Sequence, residues 1–195
     1  VKRLYNDAAL RCVDKTAEKK MIKLIDSVKE SGDTVGGIFE IIAMTPIAGL
    51  GSCIQYNTKL DAKLAAAVIS IQGIKGVEFG CGFSGGILKG SDYHDCFGLK
   101  NGKIIRKSNN AGGIEGGITN GEPIIIRAVM KPIPTLMNAL QSVDLSDLKI
   151  KKAIVERSDV CVVPAAGIVA ESAVALTLSD QILIEFGYDN IKYII

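Results

Sequence analysis

Tryptophan is missing from this 195-residue chain, and aromatic residues together make up 5% of it. A single-strand nucleic-acid platform needs rings for bases to stack on, so that class is excluded. The only histidine is His94, in Ser91-Asp92-Tyr93-His94-Asp95. One loop histidine without partners supports neither a Ser/His/Asp triad nor a metal site, and it reads as a polar loop residue. The five cysteines (Cys12, Cys53, Cys81, Cys96, Cys161) are scattered, odd in number and never spaced C-x-x-C. That suits reduced thiols in a cytoplasmic protein, and no short loop offers two zinc ligands. Charge of one sign is missing too: Lys+Arg 23 against Asp+Glu 21 leaves +2. There is no basic field for nucleic acid and no acidic tail. The first residues, Val1 to Asp7, lack the apolar core of a signal peptide. The most apolar stretch, Ala165 to Leu178, is interrupted by Glu171 and falls short of a bilayer span. These absences predict a soluble protein whose partners include neither nucleic acid nor membrane.

What remains is a globular composition, with 48% hydrophobic and 23% charged residues. Disorder is ruled out, and a single domain over 1–195 is large enough to bury its core without staples. Glycine is the residue in excess, at 21. Without collagen's period or proline content, it points to backbone loops held against something.

Periodicity predicts the elements. Ala17, Met21, Leu24, Ile25 and Val28 recur at helical spacing, with Asp14 as N-cap and Gly32 as stop. Val35–Thr45 reads as a buried strand, 46–58 as a loop, and Lys59–Ser70 as a helix carried by Leu60, Leu64, Ala67 and Val68. Ile74–Phe79 is a short strand. Asn101-Gly102 between two short runs is a hairpin signal, because both central residues take positive φ. Glu122–Met130 is a further strand, and 136–156 holds strands around Val143 and Ile154. Pro164–Phe186 is a long apolar helix, closed by Gly187. The order predicts an α+β fold of mixed layers, not an alternating parallel sheet.

Three motifs carry chemistry. Gly80-Cys81-Gly82-Phe83-Ser84-Gly85 fits G-x-G-x-x-G by letter, but it runs into Gly86-Ile87-Leu88-Lys89-Gly90, too poor in helix formers for a dinucleotide site; a turn between strands is expected. The stretch 109–121 (NNAGGIEGGITNG) leaves backbone N–H groups unshielded, which suits a phosphate or a flat polar ring; alone it reads equally as a surface loop. Lys131-Pro132-Ile133-Pro134-Thr135 fixes the backbone around a lysine and a hydroxyl, suited to an anionic ligand. Arg157-Ser158-Asp159 adds an arginine and a carboxylate on one face of extended chain, or else a local ion pair.

In this order the motifs resemble the chorismate synthase family. The specific pieces are Ser108 to Pro123, Met130 to Thr135 and Arg157 to Cys161, continued by Ala166, Ile168, Val169, Glu171 and Ser172. Ser31–Gly37 and Ser70–Glu78 are weaker matches. The resemblance runs from about Arg11 to Phe186 and implies part of a β-α-β sandwich fold. It identifies the chain as the C-terminal portion of the enzyme, because the family's Gly-Glu-Ser-His-Gly motif, second histidine and arginine-rich segment do not occur. It implies a carbon–oxygen lyase that eliminates phosphate from 5-enolpyruvylshikimate 3-phosphate, using reduced FMN, with NADP among its associated nucleotides. A cytoplasmic homotetramer is implied as well. The matching flavin contacts are Gln72, Gly73, Gly116, Lys131, Pro132, Ile133, Pro134, Thr135 and Arg157. Asp159 matches the carboxylate thought to assist proton transfer near the flavin. A non-catalytic remnant or a flavin- or phosphate-binding fragment is the alternative. The glycine stretch, Lys131–Thr135 and Arg157–Asp159 are expected to converge on one pocket.

Overall fold

Asp14 sets where the first helix begins. Its Oδ1 accepts the N–H groups of Thr16 and Ala17 at 2.7 and 3.1 Å, so two donors that a helix start leaves open are satisfied. Helix α1 runs Lys15–Glu30, and Gly32 beyond it has φ +72°, the left-handed conformation that closes a helix. The computed structural model describes residues 9–44 and 47–187. Along them follow β1 (Gly37–Ala43), β2 (Ala48–Gly51), α2 (Leu60–Ile69), β3 (Ile74–Phe79), a 3-10 helix (Gly82–Ile87) and α3 (Gly90–Tyr93). Then come β4 (Phe97–Lys100), β5 (Lys103–Arg106), β6 (Ile114–Glu115), β7 (Ile118–Asn120) and β8 (Ile124–Met130). The chain continues through β9 (Gln141–Val143), β10 (Ile150–Lys152) and α4 (Val163–Phe186). This is the expected α+β mixture.

The chain divides into two compact units: residues up to 37 with 130–166, and 38–129 with the chain from 167 onward. The second unit holds the core. Every large, fully buried side chain among the described residues (Leu50, Leu60, Leu64, Val68, Ile124, Ile126, Val174) belongs to it. Strand β8 lies between β1 and β3, and it buries Ile124, Ile126 and Ala128 in strict alternation. Helix α2 packs on β3 and β7 through Leu60, Leu64 and Val68, four residues apart on one stripe. β2, β7 and β6 form a second small sheet. β4 and β5 pair antiparallel around Asn101 and Gly102, at φ +52° and +72°, as the Asn-Gly signal predicts. In the first unit α1 is joined by the antiparallel β9–β10 ribbon.

Several expectations are corrected. The loop expected over 46–58 contains β2, whose register against β7 shifts between Ala48 and Gly51. Strand β1 is shorter than Val35–Thr45 at both ends, and Thr45 lies outside the described residues. The 80–85 motif is not a plain turn but enters a 3-10 helix. The strand expected around Ile154 lies at Ile150–Lys152, where it pairs with 141–143. On α1, Met21 and Leu24 are exposed, although both stand on the apolar stripe. Helix α4 matches the expected Pro164–Phe186 to within one residue, but against the expectation drawn from Ala165–Leu178 it is long and apolar enough to cross a bilayer. One such helix is weak evidence, and this one packs Ala166, Ala170 and Val174, four residues apart, against protein.

Candidate functional site

Within the first unit, three chain segments lie side by side. Val35 N–H donates to the Val160 carbonyl at 2.9 Å, and Asn138 N–H donates to the Gly32 carbonyl at 2.9 Å. Between them passes the rigid segment Lys131-Pro132-Ile133-Pro134-Thr135. The Thr34 hydroxyl donates to the Ile133 carbonyl at 2.6 Å, and the Ser158 hydroxyl donates to the Thr135 carbonyl at 2.9 Å. Gly36 is needed for the approach: a Cβ there would overlap the Met130 carbonyl oxygen and stand 2.9 Å from the backbone of Lys131 and Pro132. The structure therefore joins 131–135 to 157–159 through the bond from Ser158 to Thr135. Lys131, Arg157 and Asp159 are exposed, Ile133 and Thr135 half-buried. Among the described residues, none of the three charged groups is ion-paired. Exposed Lys131 opens the proline-stiffened segment, and exposed Arg157 and Asp159 flank the serine bonded to its other end, charges that suit an anionic ligand with a proton to be moved.

The remaining candidates belong to the second unit. Gly116 stands in the turn between β6 and β7, with φ +62°, exposed, and with no atom within 4 Å of where a Cβ would be. Such a position lets a flat ligand approach bare backbone. The 109–121 stretch is thus a β-hairpin and its lead-in, not a loop. Leu60 N–H donates to the Gly117 carbonyl at 2.9 Å, which puts this turn at the start of α2. Gln72 and Gly73 follow the other end of α2. A ten-residue helix is roughly 15 Å long, so these two do not stand beside Gly116.

Asp95 holds the lead-in to that hairpin. Its Oδ1 accepts the Ser108 hydroxyl at 2.6 Å and Asn110 N–H at 2.7 Å, and its Oδ2 accepts Ala111 N–H at 3.0 Å. Burial pushes its carboxyl up, but these three hydrogen bonds and the Arg106 charge outweigh it and hold it below the ordinary range. Asn109 continues the network, accepting Gly113 N–H at 2.9 Å and donating to the Pro123 carbonyl at 2.8 Å. Arg106 pairs with Glu115 at 2.6 Å and lies over the Phe97 ring at 4.7 Å, tying β5 to β6. Elsewhere, an open apolar hollow of roughly 560 Å³ is lined by Phe97, Gly98, Leu99 and Ile104. No candidate residue lines it, and its lack of polar groups makes it a poor catalytic site. His94 is exposed and stacks edge-on with Tyr93 at 5.3 Å. It remains a loop residue.

The family profile described as chorismate synthase matches residues 1–183. The chain belongs to the chorismate synthase family. It is 52% identical to a chorismate synthase of Geotalea uraniireducens over 189 residues, 93% of this chain and 48% of that protein. It is 47% identical to a chorismate synthase 2 of Bacillus cereus, covering 100% of this chain and 50% of the relative. A solved structure titled as the crystal structure of chorismate synthase superposes with a TM-score of 0.79 at 39% identity, over 97% of this chain and 50% of that one. The fold of that family is therefore the fold here, and the chain spans about half the length of the curated relatives it matches.

Sequence reasoning missed Thr34, Gly36 and the Ser158 hydroxyl as shapers of the 131–135 segment in the first unit, and Asp95 as the anchor of the hairpin lead-in in the second. Thr34 and Gly36 stand inside the weakly matching Ser31–Gly37 stretch, the one signal that marks them. Asp95 stands beside His94 and draws attention only as an acid near a base.

Proposed function

We propose that this chain serves a chorismate synthase as the part that holds the flavin and the anionic substrate. The reading is supported by the Lys131–Thr135 segment, whose Thr135 carbonyl takes the hydroxyl of Ser158, the residue between Arg157 and Asp159. Gly116, with bare backbone and open space where a side chain would stand, fits a flat ring, so this chain's residues suit FMN. Gln72, Gly73, Gly116, Lys131, Pro132, Ile133, Pro134, Thr135 and Arg157 would hold it. Reduced FMN, when bound, supplies the electron-rich ring beside which phosphate leaves 5-enolpyruvylshikimate 3-phosphate without net oxidation. Lys131 and Arg157 neutralise anionic groups in a place where preorganised charge counts for more than it does in water. Asp159 receives or orients the proton lost as chorismate forms. NADP as an associated nucleotide, a homotetramer and a cytoplasmic setting complete the reading, with the chain as the C-terminal portion of a longer enzyme.

The chain alone is expected to form no measurable chorismate. Losing one general acid or base costs about 10²–10⁴-fold, and groups acting as a unit cost more together. The test supplies reduced FMN and 5-enolpyruvylshikimate 3-phosphate and follows phosphate release, with and without the other half of a relative. Activity restored by complementation supports the proposal. Turnover by the chain alone overturns the fragment reading, and no activity in either case favours a non-catalytic remnant.

A further inference from the structure

Pro132 and Pro134 leave the 131–135 segment without two of the N–H groups an ordinary strand ladder would use. Something else has to fix its course. The Ile133 carbonyl is taken by the Thr34 hydroxyl at 2.6 Å, and the Thr135 carbonyl by the Ser158 hydroxyl at 2.9 Å. Thr34 is itself fixed: it is half-buried, its own N–H donates to Asp33 Oδ1 at 2.7 Å, and Val35 next to it is bonded to Val160. Two residues on, Gly36 lies so close to Met130, Lys131 and Pro132 that no Cβ fits. We infer that Thr34 is a positioning residue, whose hydroxyl, with that of Ser158, clamps the proline segment by its carbonyls and so sets where Lys131 stands. It touches no reacting group itself. The inference rests on the reading of Lys131–Thr135 as a flavin-binding segment.

Thr34→Val keeps the shape and removes the hydroxyl, whereas Thr34→Ser keeps the hydroxyl. FMN binding to the 195-residue chain is followed by equilibrium dialysis into the millimolar range, with Lys131→Ala as control. Amide hydrogen exchange at Val35 and Asn138, whose N–H groups donate to Val160 and Gly32 on either side of the clamped segment, is measured alongside. We expect Thr34→Val to weaken FMN binding about 3- to 10-fold, the range of one net hydrogen bond, and to speed exchange at those amides. Thr34→Ser should stay within about two-fold of the parent on the same scale. Parent-like exchange and binding in Thr34→Val would overturn the inference. So would equal losses in the Val and Ser variants, because the hydroxyl would then not be the group that matters. If Lys131→Ala leaves binding unchanged, or the parent binds no FMN, the flavin reading fails instead, and exchange alone decides the clamp.

Discussion

Glu78 Oε1 and Arg127 Nη2 stand 2.8 Å apart across the neighbouring strands β3 and β8. Each partner does a second job. Glu78 Oε2 accepts Phe83 N–H at 2.9 Å, and Arg127 donates to the Gly80 carbonyl at 3.1 Å. The pair thus pins the turn that leaves β3 to the centre of the sheet. Arg127 Nε is buried without a partner, so the guanidinium is already short of one bond.

Replacing Glu78 by Ala should therefore cost more than a surface ion pair is worth. Both side chains keep part of their exposure, which screens the charge left behind. The expected loss is about 1–2 kcal/mol, between the surface and buried ranges, read from the urea midpoint. Glu78→Gln retains an acceptor for Phe83 N–H and should lose less. Equal losses in both variants would show that the charge, which both remove, is what matters and that the acceptor for Phe83 N–H is not.

Two glycines should behave oppositely. Gly36→Ala forces a Cβ into the Met130 carbonyl, and the segments it joins must part; a loss of about 3 kcal/mol or more, or failure of the first unit to fold, is expected. Gly116→Ala meets open space and carries only the strain of a positive φ, about 1 kcal/mol. Thermal denaturation of the two variants checks the order.

Asp95 should make stability depend on acid. Its folded pKa lies below the ordinary value, so the unfolded chain binds its proton first as pH drops. The contribution is complete above the unfolded carboxyl pKa, about 3.9, and is lost as pH falls through the lower folded value. Asp95→Asn should flatten the stability profile in that acid window and leave Asn110 and Ala111 amides less protected at neutral pH. An unchanged profile would contradict the hydrogen-bond account.

Exposed apolar residues should drive association. Ile38, Ile42 and Met44 are exposed along and just after β1, and Leu176 and Ile184 are exposed on α4. Mean hydropathy is +0.28. Sedimentation should show mass rising with concentration, and Ile38→Ser with Ile42→Ser should reduce it. A monodisperse monomer at high concentration would refute this.

The sequence shows most where one residue type meets one local need. Leu60, Leu64 and Val68 announce α2, the alternation of β8 announces its buried face, and Asn101-Gly102 announces the β4–β5 turn. It hides what depends on distant partners. Ala48-Gly49-Leu50-Gly51 has no β-branched residue and is a strand only because β7 pairs with it. Asp95 looks like any loop acid until three donors 13 to 16 residues away find it. Exposed Met21 and Leu24 on α1 show the converse, a helical stripe that the described chain leaves uncovered. Among the candidate site residues, the expected convergence of three segments rested on ligand chemistry together with the family resemblance, and the bond from Ser158 to Thr135 that joins two of them depends on partners 23 residues apart.

The clamp on Ile133 also carries a kinetic consequence. Thr34 and Ile133 are 99 residues apart, and the chain between them builds most of the second unit. Closing a loop of that size costs about 4 kcal/mol in entropy before any contact repays it. The β4–β5 hairpin and α2 need only neighbours and form within microseconds. The segment that presents Lys131 should accordingly be assembled after those local elements, together with the β1–β8 pairing, which closes a loop of similar length. Pulse-labelled exchange during refolding would see Leu64 and Val68 of α2 protected well before Val35 and Asn138, whose amides bond Val160 and Gly32.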